Sequence, residues 1–277
     1  MASAWNLGFE VEGGLAKDPG GKAEVPVPEH APSGWAGTDG PNIPWENWPR
    51  HKVLGLPLMH LVTLFLPEEY RRKGPEYVGV AFFAAGGESD PEATGESQWE
   101  LQDGPAWEAF NADLTAAVES EQTSYRLDVL GGPWALVWLT QEQIEAGPTP
   151  PHADPRPEAA RGEIEYGDGE NAWDSVSPTT RIWLLPREDP NAGVEPVEYA
   201  GDEDEYEDPY PDGDEAPWAG ALFGWSHLGG TVFNVQALPE GLSPWYLEFE
   251  EFGHLNLGDA GTLQVDLETD VLDWACG

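Results

Sequence analysis

Cysteine occurs once in this chain of 277 residues, at Cys276. A single thiol excludes an intramolecular disulfide and any cysteine-built zinc site, and it fits a chain that folds in a reducing compartment. Long apolar runs are missing as well: nothing approaches the roughly 20 consecutive apolar residues of a membrane span. Met1 to Glu10 carries neither the basic region nor the apolar core of a secretory leader, and there is no Asn-x-Ser/Thr sequon. These absences lead us to expect a soluble, cytoplasmic protein with no membrane contact.

Positive charge is the scarcest resource. Lys and Arg together number 12 against 52 Asp and Glu, a formal net charge of −40. Small soluble domains sit at a magnitude of about 2–8. Nucleic-acid binding depends on Lys and Arg displacing condensed counterions, so such a chain is excluded as a direct nucleic-acid binder. Basic proteins and cations are the partners its field attracts.

Signatures of the common enzyme classes are also missing: there is no phosphate-binding Gly-x-x-x-x-Gly-Lys-Ser/Thr, no Gly-x-Ser-x-Gly, no His-Glu-x-x-His and no Gly-x-Gly-x-x-Gly. The histidines His30, His51, His60, His152, His227 and His254 show no i, i+2 or i, i+4 pair that would make a local metal site. His60, inside an apolar run, reads as a hydrogen-bonded core residue. His227 and His254 flank the C-terminal block and are the pair to check for a meeting in space. Cys276 has Asp273 nearby and no basic neighbour, which disfavours a thiolate nucleophile. No catalytic residue, cofactor or specific metal site is therefore assigned.

What is abundant is tryptophan (14, against 9 Phe and 8 Tyr), glycine (33) and proline (27), a mixture suited to short strands joined by many turns. Trp5 to Gly40 reads as turns and short edge strands. Leu58 to Phe65 and Tyr77 to Ala84 are apolar on both faces, as strands buried on two sides are. Between them, Leu66-Pro67-Glu68-Glu69-Tyr70-Arg71-Arg72-Lys73-Gly74 predicts a short helix with acids at its start and bases at its end. Trp107, Phe110, Leu114 and Val118 recur at helical spacing. Tyr125–Leu130 and Trp134–Leu139 predict strands about the Gly131-Gly132-Pro133 turn, and Thr140 with Gln143 predicts a capping box opening a helix to Gly147. Arg181 to Leu185, Trp245 to Glu250 and Thr262 to Leu267 predict further strands, the last half-buried by its alternation; Gly258-Asp259-Ala260-Gly261 predicts a tight turn before it.

The fold class expected is α+β and β-rich, with duplicated mixed or antiparallel sheet halves and a few short helices. Residues 1–147 form an N-terminal half, 148–180 a Pro/Gly-rich linker or loop, and 181–277 a C-terminal half; the alternative is one compact domain. Beyond Arg187 no Lys or Arg follows, and Tyr199 to Glu215 is a low-complexity acidic segment expected to be a mobile loop. Its Asp202, Glu203, Asp204, Glu205, Tyr206, Glu207, Asp208, Tyr210 and Asp212 are the candidate partner-binding residues. Asp208, Asp212 and Gly213 match part of a calcium loop, but Tyr210 stands where an oxygen ligand is needed, which leaves only weak, nonspecific divalent-ion binding from charge density.

Trp48-Pro49, Gly55-Leu56-Pro57-Leu58, Leu66-Pro67 and Val80-Ala81-Phe82-Phe83, followed in the second half by Leu228-Gly229-Gly230, Gln236, Trp245 to Glu250 and Leu257-Gly258-Asp259-Ala260-Gly261, occur in the order found in the YwqG-like family of bacterial proteins. Over about half its length the chain resembles that family. It departs from the family's Gln-Ile-Asp strand core, reading Leu61-Val62-Thr63-Leu64 and Glu248-Phe249-Glu250, and its acidic segment looks like an insertion. The resemblance implies a duplicated β-rich architecture and brings no catalytic residues with it. By analogy it suggests an immunity protein encoded near a toxin. The functional expectation is accordingly a non-enzymatic acidic protein that neutralises a basic partner such as a toxin. The alternatives are a DNA mimic inhibiting a nucleic-acid-binding protein, a salt-adapted protein, or an enzyme of unrecognised type.

Overall fold

A computed structural model describes residues 3–52, 55–85, 103–127, 132–161, 171–198, 205–211, 214–221, 224–253, 255 and 257–277. Strands β1 (Ala4–Val11), β2 (Gly14–Ala16), β3 (Gly34–Ala36), β4 (Met59–Phe65) and β5 (Tyr77–Ala84) precede helix α1 (Glu108–Ala116). Then come β6 (Thr123–Leu127), β7 (Pro133–Thr140), α2 (Gln141–Glu145), β8 (Thr180–Arg187), β9 (His227–Leu228), β10 (Tyr246–Phe249), β11 (Thr262–Asp266) and β12 (Leu272–Ala275). The protein is β-rich, with a nearly closed antiparallel sheet and only a few short helices.

The described strands form one sheet in the order β12-β11-β10-β9-β1-β8-β3-β4-β5-β7-β6, with β2 added beside β1. Strand alternation sends Leu7 and Phe9, Leu64, Val80 and Phe82, Leu136 and Trp138, Ile182 and Leu184, Leu247 and Phe249, and Leu263 and Val265 into a single core. The sheet curls around it. Phe82 of β5 stacks on Trp134 of β7 and on Phe249 of β10, each at 5.5 Å between ring centroids, although β5 and β10 are far apart in the pairing order. Main-chain pairing between β6 and β12 is absent among the described residues, and Arg126 spans the seam instead. Its guanidinium donates to the Val271 carbonyl at 2.8 Å and the Thr269 carbonyl at 3.0 Å, beside a Ser124–Asp270 hydrogen bond.

Each half of the sheet has a second core on its outer face. Over β5 and β7, Trp48, Leu58, Val78, Phe83, Val137, Leu139 and Ile144 pack together. Over the C-terminal strands, Tyr206, Val232, Leu242 and Tyr246 do so. The covering segments are irregular but pinned: Trp48 Nε1 donates to the Leu58 carbonyl, Trp173 Nε1 to the His152 carbonyl, and Gly40 bridges Thr149 within the Pro-rich 148–157 stretch.

Strands β4, β5, β7, β8 and β10 lie where the sequence pattern puts them, and the Thr140–Gln143 capping box is present in both directions. Four expectations change. First, β1 is a central strand, held by β8 on one side and by β2 and β9 on the other; its Trp5-Leu7-Phe9-Val11 alternation outweighs the Gly and Pro around it. Second, residues 66–74 form one 3-10 turn, Glu68–Tyr70, so no helix dipole exists for the bases to offset. Arg71 instead lies over the Phe65 ring and donates to the Leu66 carbonyl, and Arg72 lies over Trp245 and pairs with Glu268. Third, β11 is buried on both faces, because its polar alternate residues are covered by the second core. Fourth, α1 ends at Ala116, and Val118 lies beyond it, exposed.

The seam gives a direct test. Arg126→Met keeps the apolar stem but removes both guanidinium hydrogen bonds across the seam, to the half-buried residues Thr269 and Val271. It is expected to lower unfolding free energy by about 2–4 kcal/mol in urea titrations; a loss within about 0.5 kcal/mol would show that the sheet needs no side-chain closure.

Candidate functional site

The outer face of the C-terminal strands carries a row of polar side chains. Asn6 of β1 lies opposite His227 of β9, His227 opposite Glu248 of β10, Glu248 opposite Gln264 of β11, and Gln264 opposite Asp273 of β12. Alternation explains the placement, since Asn6, Glu248 and Gln264 have core-facing neighbours on both sides and His227 has Leu228 on one. On an uncovered sheet this face would meet water. Here Val194, Val197, Tyr206, Val232, Leu238 and Leu242 pack over it, and His227, Glu248 and Gln264 are buried.

Arg187, at the end of β8, closes the row. Its Nη1 donates to Asn6 Oδ1 at 2.7 Å, and its Nη2 donates to Asp189 Oδ2 at 2.8 Å and to the Gly229 carbonyl at 2.9 Å. The Arg187–Asp189 ion pair is almost wholly out of water, at 2% and 0% side-chain exposure. Asp189 also accepts from the Asn191 N–H, the Thr231 N–H and the Thr231 hydroxyl, each at 2.9 Å. Such saturation is what a buried ion pair requires to offset its desolvation.

The loop after β9 turns because it is glycine. Gly229 and Gly230 have φ of +61° and +87°; a β-carbon would strike the Tyr70 hydroxyl at the first and the Arg187 and Asp189 side chains at the second. The loop then presents three successive backbone N–H groups to three different side chains. Thr231 N–H donates to Asp189, Val232 N–H to the Tyr206 hydroxyl at 2.9 Å, and Phe233 N–H to both Glu248 oxygens at 3.0 and 3.1 Å. Glu248 Oε2 accepts further from Gln264 Nε2 at 3.0 Å.

Burial raises the Glu248 pKa to about 7, with Gln264, the Phe233 N–H and Arg187 opposing and Glu250 reinforcing. Burial, and then the Arg187 charge, hold His227 well below its ordinary value, so the imidazole is neutral. Its Nδ1 faces the Trp225 carbonyl at 3.2 Å, and its Nε2 has no hydrogen-bond partner of normal geometry. His227 and Glu248 stand 3.8 Å apart. Chemically this is an acid–base pair withdrawn from solvent, with His227 and Glu248 each 1% exposed.

The acidic segment is tied to this row. Tyr206 is buried against Val232, Leu242 and Tyr246. Asn191 grips the next residue at two points, donating to the Glu207 carbonyl at 2.8 Å and accepting from the Glu207 N–H at 2.7 Å. Of the nine candidate binding residues, Glu205, Glu207 and Asp208 are exposed, Tyr210 is half-buried, and Asp202, Glu203, Asp204 and Asp212 lie outside the described residues. Tyr206 points inward, so it anchors the segment. This part of the expected mobile loop is seated, because an aromatic side chain and a backbone clamp offset the repulsion among its carboxylates. Asp208 accepts from the Tyr210 N–H in a local turn, and no group of three or more His, Cys, Asp or Glu positioned for a metal occurs among the described residues.

Among the other histidines, His60 is hydrogen-bonded through both nitrogens, to the Gly37 carbonyl at 2.7 Å and Thr63 Oγ1 at 2.8 Å. It lines a cleft of about 10 Å³ with Ser177, Thr180 and Phe252, room for a single water and lined by no carboxylate. His254 lies outside the described residues. No described helix is long and apolar enough to cross a membrane. No protein-family model, curated protein or solved structure matches the chain.

Two measurements test these assignments. Asp189→Asn leaves Arg187 without its counter-charge and is expected to lower stability by about 3–5 kcal/mol; a change under about 1 kcal/mol would mean that the pair is not structural. Burial pulls His60 down to about 4. A depressed imidazole favours the fold fully above its ordinary 6.5, and that contribution is lost as pH falls toward 4. Between pH 7 and 4 the wild type is therefore expected to lose about 3 kcal/mol more than His60→Gln; parallel pH profiles would refute a neutral buried His60.

Proposed function

We propose that the protein is a non-catalytic cytoplasmic binder that uses its negative surface to capture a basic protein, in the manner of an immunity protein neutralising a toxin. One observation carries this reading: the few cations are spent on the protein's own structure. Lys17, Arg50, Lys52, Arg71, Arg72, Arg156 and Arg181 each lie over an aromatic ring. A chain of this length would carry about four such contacts by ordinary frequency. Arg126 spans the seam, Arg161 is held by Asp154 and the Arg156 carbonyl, and Arg187 is buried on Asp189. Only Lys22 and Lys73 carry no contact of these kinds among the described residues.

The outward-facing carboxylates are thus left with little positive charge to cancel them. Glu205, Glu207 and Asp208 stand exposed on a seated segment, a fixed array better suited to steering than a free tail. Steering of this kind raises association rates by about 10 to 10³-fold and fades with salt. The resemblance to the YwqG-like family supports the immunity reading by motif order alone.

Because Tyr206 is part of the core, the test neutralises charge rather than deleting the segment. Changing Asp202, Glu203, Asp204, Glu205, Glu207, Asp208 and Asp212 to their amides is expected to preserve the fold. Against a basic protein captured from the native host at moderate salt, it should slow association about tenfold or more at low ionic strength. A salt-independent association rate, unchanged by the substitutions, would sink the reading. Loss of far-ultraviolet dichroism by the wild type in low salt would favour salt adaptation instead.

A further inference from the structure

We infer that residues 205–211 of the acidic segment also help cover the buried polar row, with Tyr206 as the latch, so that they leave their seat only together with the Thr231–Phe233 strip and thereby open Glu248 and His227 to water. The inference deepens the charge-capture reading and rests on it for its biological use, since a basic partner pulling on the carboxylates would be pulling on this latch.

The geometry is a chain of single-residue links. Tyr206 caps Val232 N–H, Asn191 clamps Glu207 and donates to Thr231 Oγ1 at 2.8 Å, and Phe233 N–H rests on Glu248. Removing Tyr206 uncaps the middle of three consecutive N–H groups whose neighbours hold Asp189 and Glu248. No part of the strip can turn toward solvent without releasing the others.

Opening has a proton signature. The groups facing Glu248 are Arg187 and Asp189 beyond β8, Tyr206 on the acidic segment, His227 on β9, Tyr246 and Glu250 on β10, and Gln264 on β11, with Asp273 one strand further. Closed and between pH 4.5 and 6.5, below its pKa of about 7, Glu248 holds a proton and His227 does not. Once solvated, each returns toward its ordinary value, 4.5 for the carboxyl and 6.5 for the imidazole. Between those values the open state carries a carboxylate and an imidazolium. One proton is bound in either state, having moved from Glu248 to His227, so opening takes up and releases none.

Amide exchange of the whole protein, corrected for its intrinsic pH dependence, tests both halves of the inference without any partner. It therefore stands or falls apart from the association experiment. Residues 205–211 and 231–233 are expected to open with one equilibrium constant, and Tyr206→Phe is expected to raise it about tenfold in both stretches. Between pH 4.5 and 6.5 the wild-type constant is expected to stay flat. In Glu248→Gln only the imidazole titrates, and the constant is expected to rise up to tenfold for each unit that pH falls below 6.5. Protection of 231–233 that survives Tyr206→Phe while 205–211 opens would overturn the latch. A wild-type slope equal to that of Glu248→Gln would overturn the exposure of the pair.

Discussion

Twelve cationic side chains must hold together a chain bearing 52 carboxylates, and where those twelve go determines the rest. Scattered over the surface, they would screen their neighbours and contribute little, because exposed ion pairs are worth about 0–1 kcal/mol. Arg50, Arg126, Arg156 and Arg187, buried against aromatic rings and acceptors, act where water competes little. Arg126 joins sheet edges that main-chain pairing leaves open, Arg187 fixes the turn after β9, and Arg50 meets both the Trp45 ring and Asp113 in a nearly buried pocket. The abundance of tryptophan follows from the same arrangement, since a ring face and an indole N–H bind a guanidinium and a carboxylate or carbonyl side by side. Trp45 does both, under Arg50 and donating to Asp113.

A sheet curled about one apolar core still has an outer face, and on the C-terminal half that face is polar. Leaving it in water would be the simplest solution for an antiparallel sheet. This protein covers it, and coverage makes a polar atom left there without a partner costly. The 229–233 loop supplies most of them through its backbone, which is why two glycines stand where the chain must come close to Tyr70, Arg187 and Asp189. A backbone donor carries no charge of its own, so it can satisfy a carboxylate without drawing on the small supply of Lys and Arg.

Strands whose two faces are both apolar, or whose alternation is unbroken, were legible: β4, β5, β7 and β10 fall where their patterns put them, and α2 announces itself through Thr140 and Gln143. The central position of β1 was hidden by the Gly and Pro that follow it, because local composition speaks to turns and says nothing of which distant strands, here β8 and β9, will pair with a segment. The helix inferred for residues 66–74 failed for a related reason. Acids followed by bases satisfy a dipole argument, but Arg71 and Arg72 had ring partners in Phe65 and Trp245. At the site, His227 could be singled out by residue type. Asn6, Arg187, Asp189, Glu248 and Gln264 could not, since their juxtaposition is a matter of cross-strand register between segments up to some 250 residues apart. The Gly229-Gly230 pair was the one local sign of a crowded backbone.

The neutral state of the His227–Glu248 pair follows from the charge of the whole. Burying a carboxylate as an ion requires either a dedicated cation or a dense shell of donors. Asp189 has both, and Arg187 is largely committed to it. Glu248 receives the Phe233 N–H and the Gln264 amide, with Glu250 nearby to repel it. Holding a proton removes that repulsion, and a neutral imidazole beside it adds no charge to a face whose single cation is already shared. The interior thus avoids the negative charge that the exterior accumulates, and the contrast is what allows a seated acidic segment to lie directly over a buried carboxyl group.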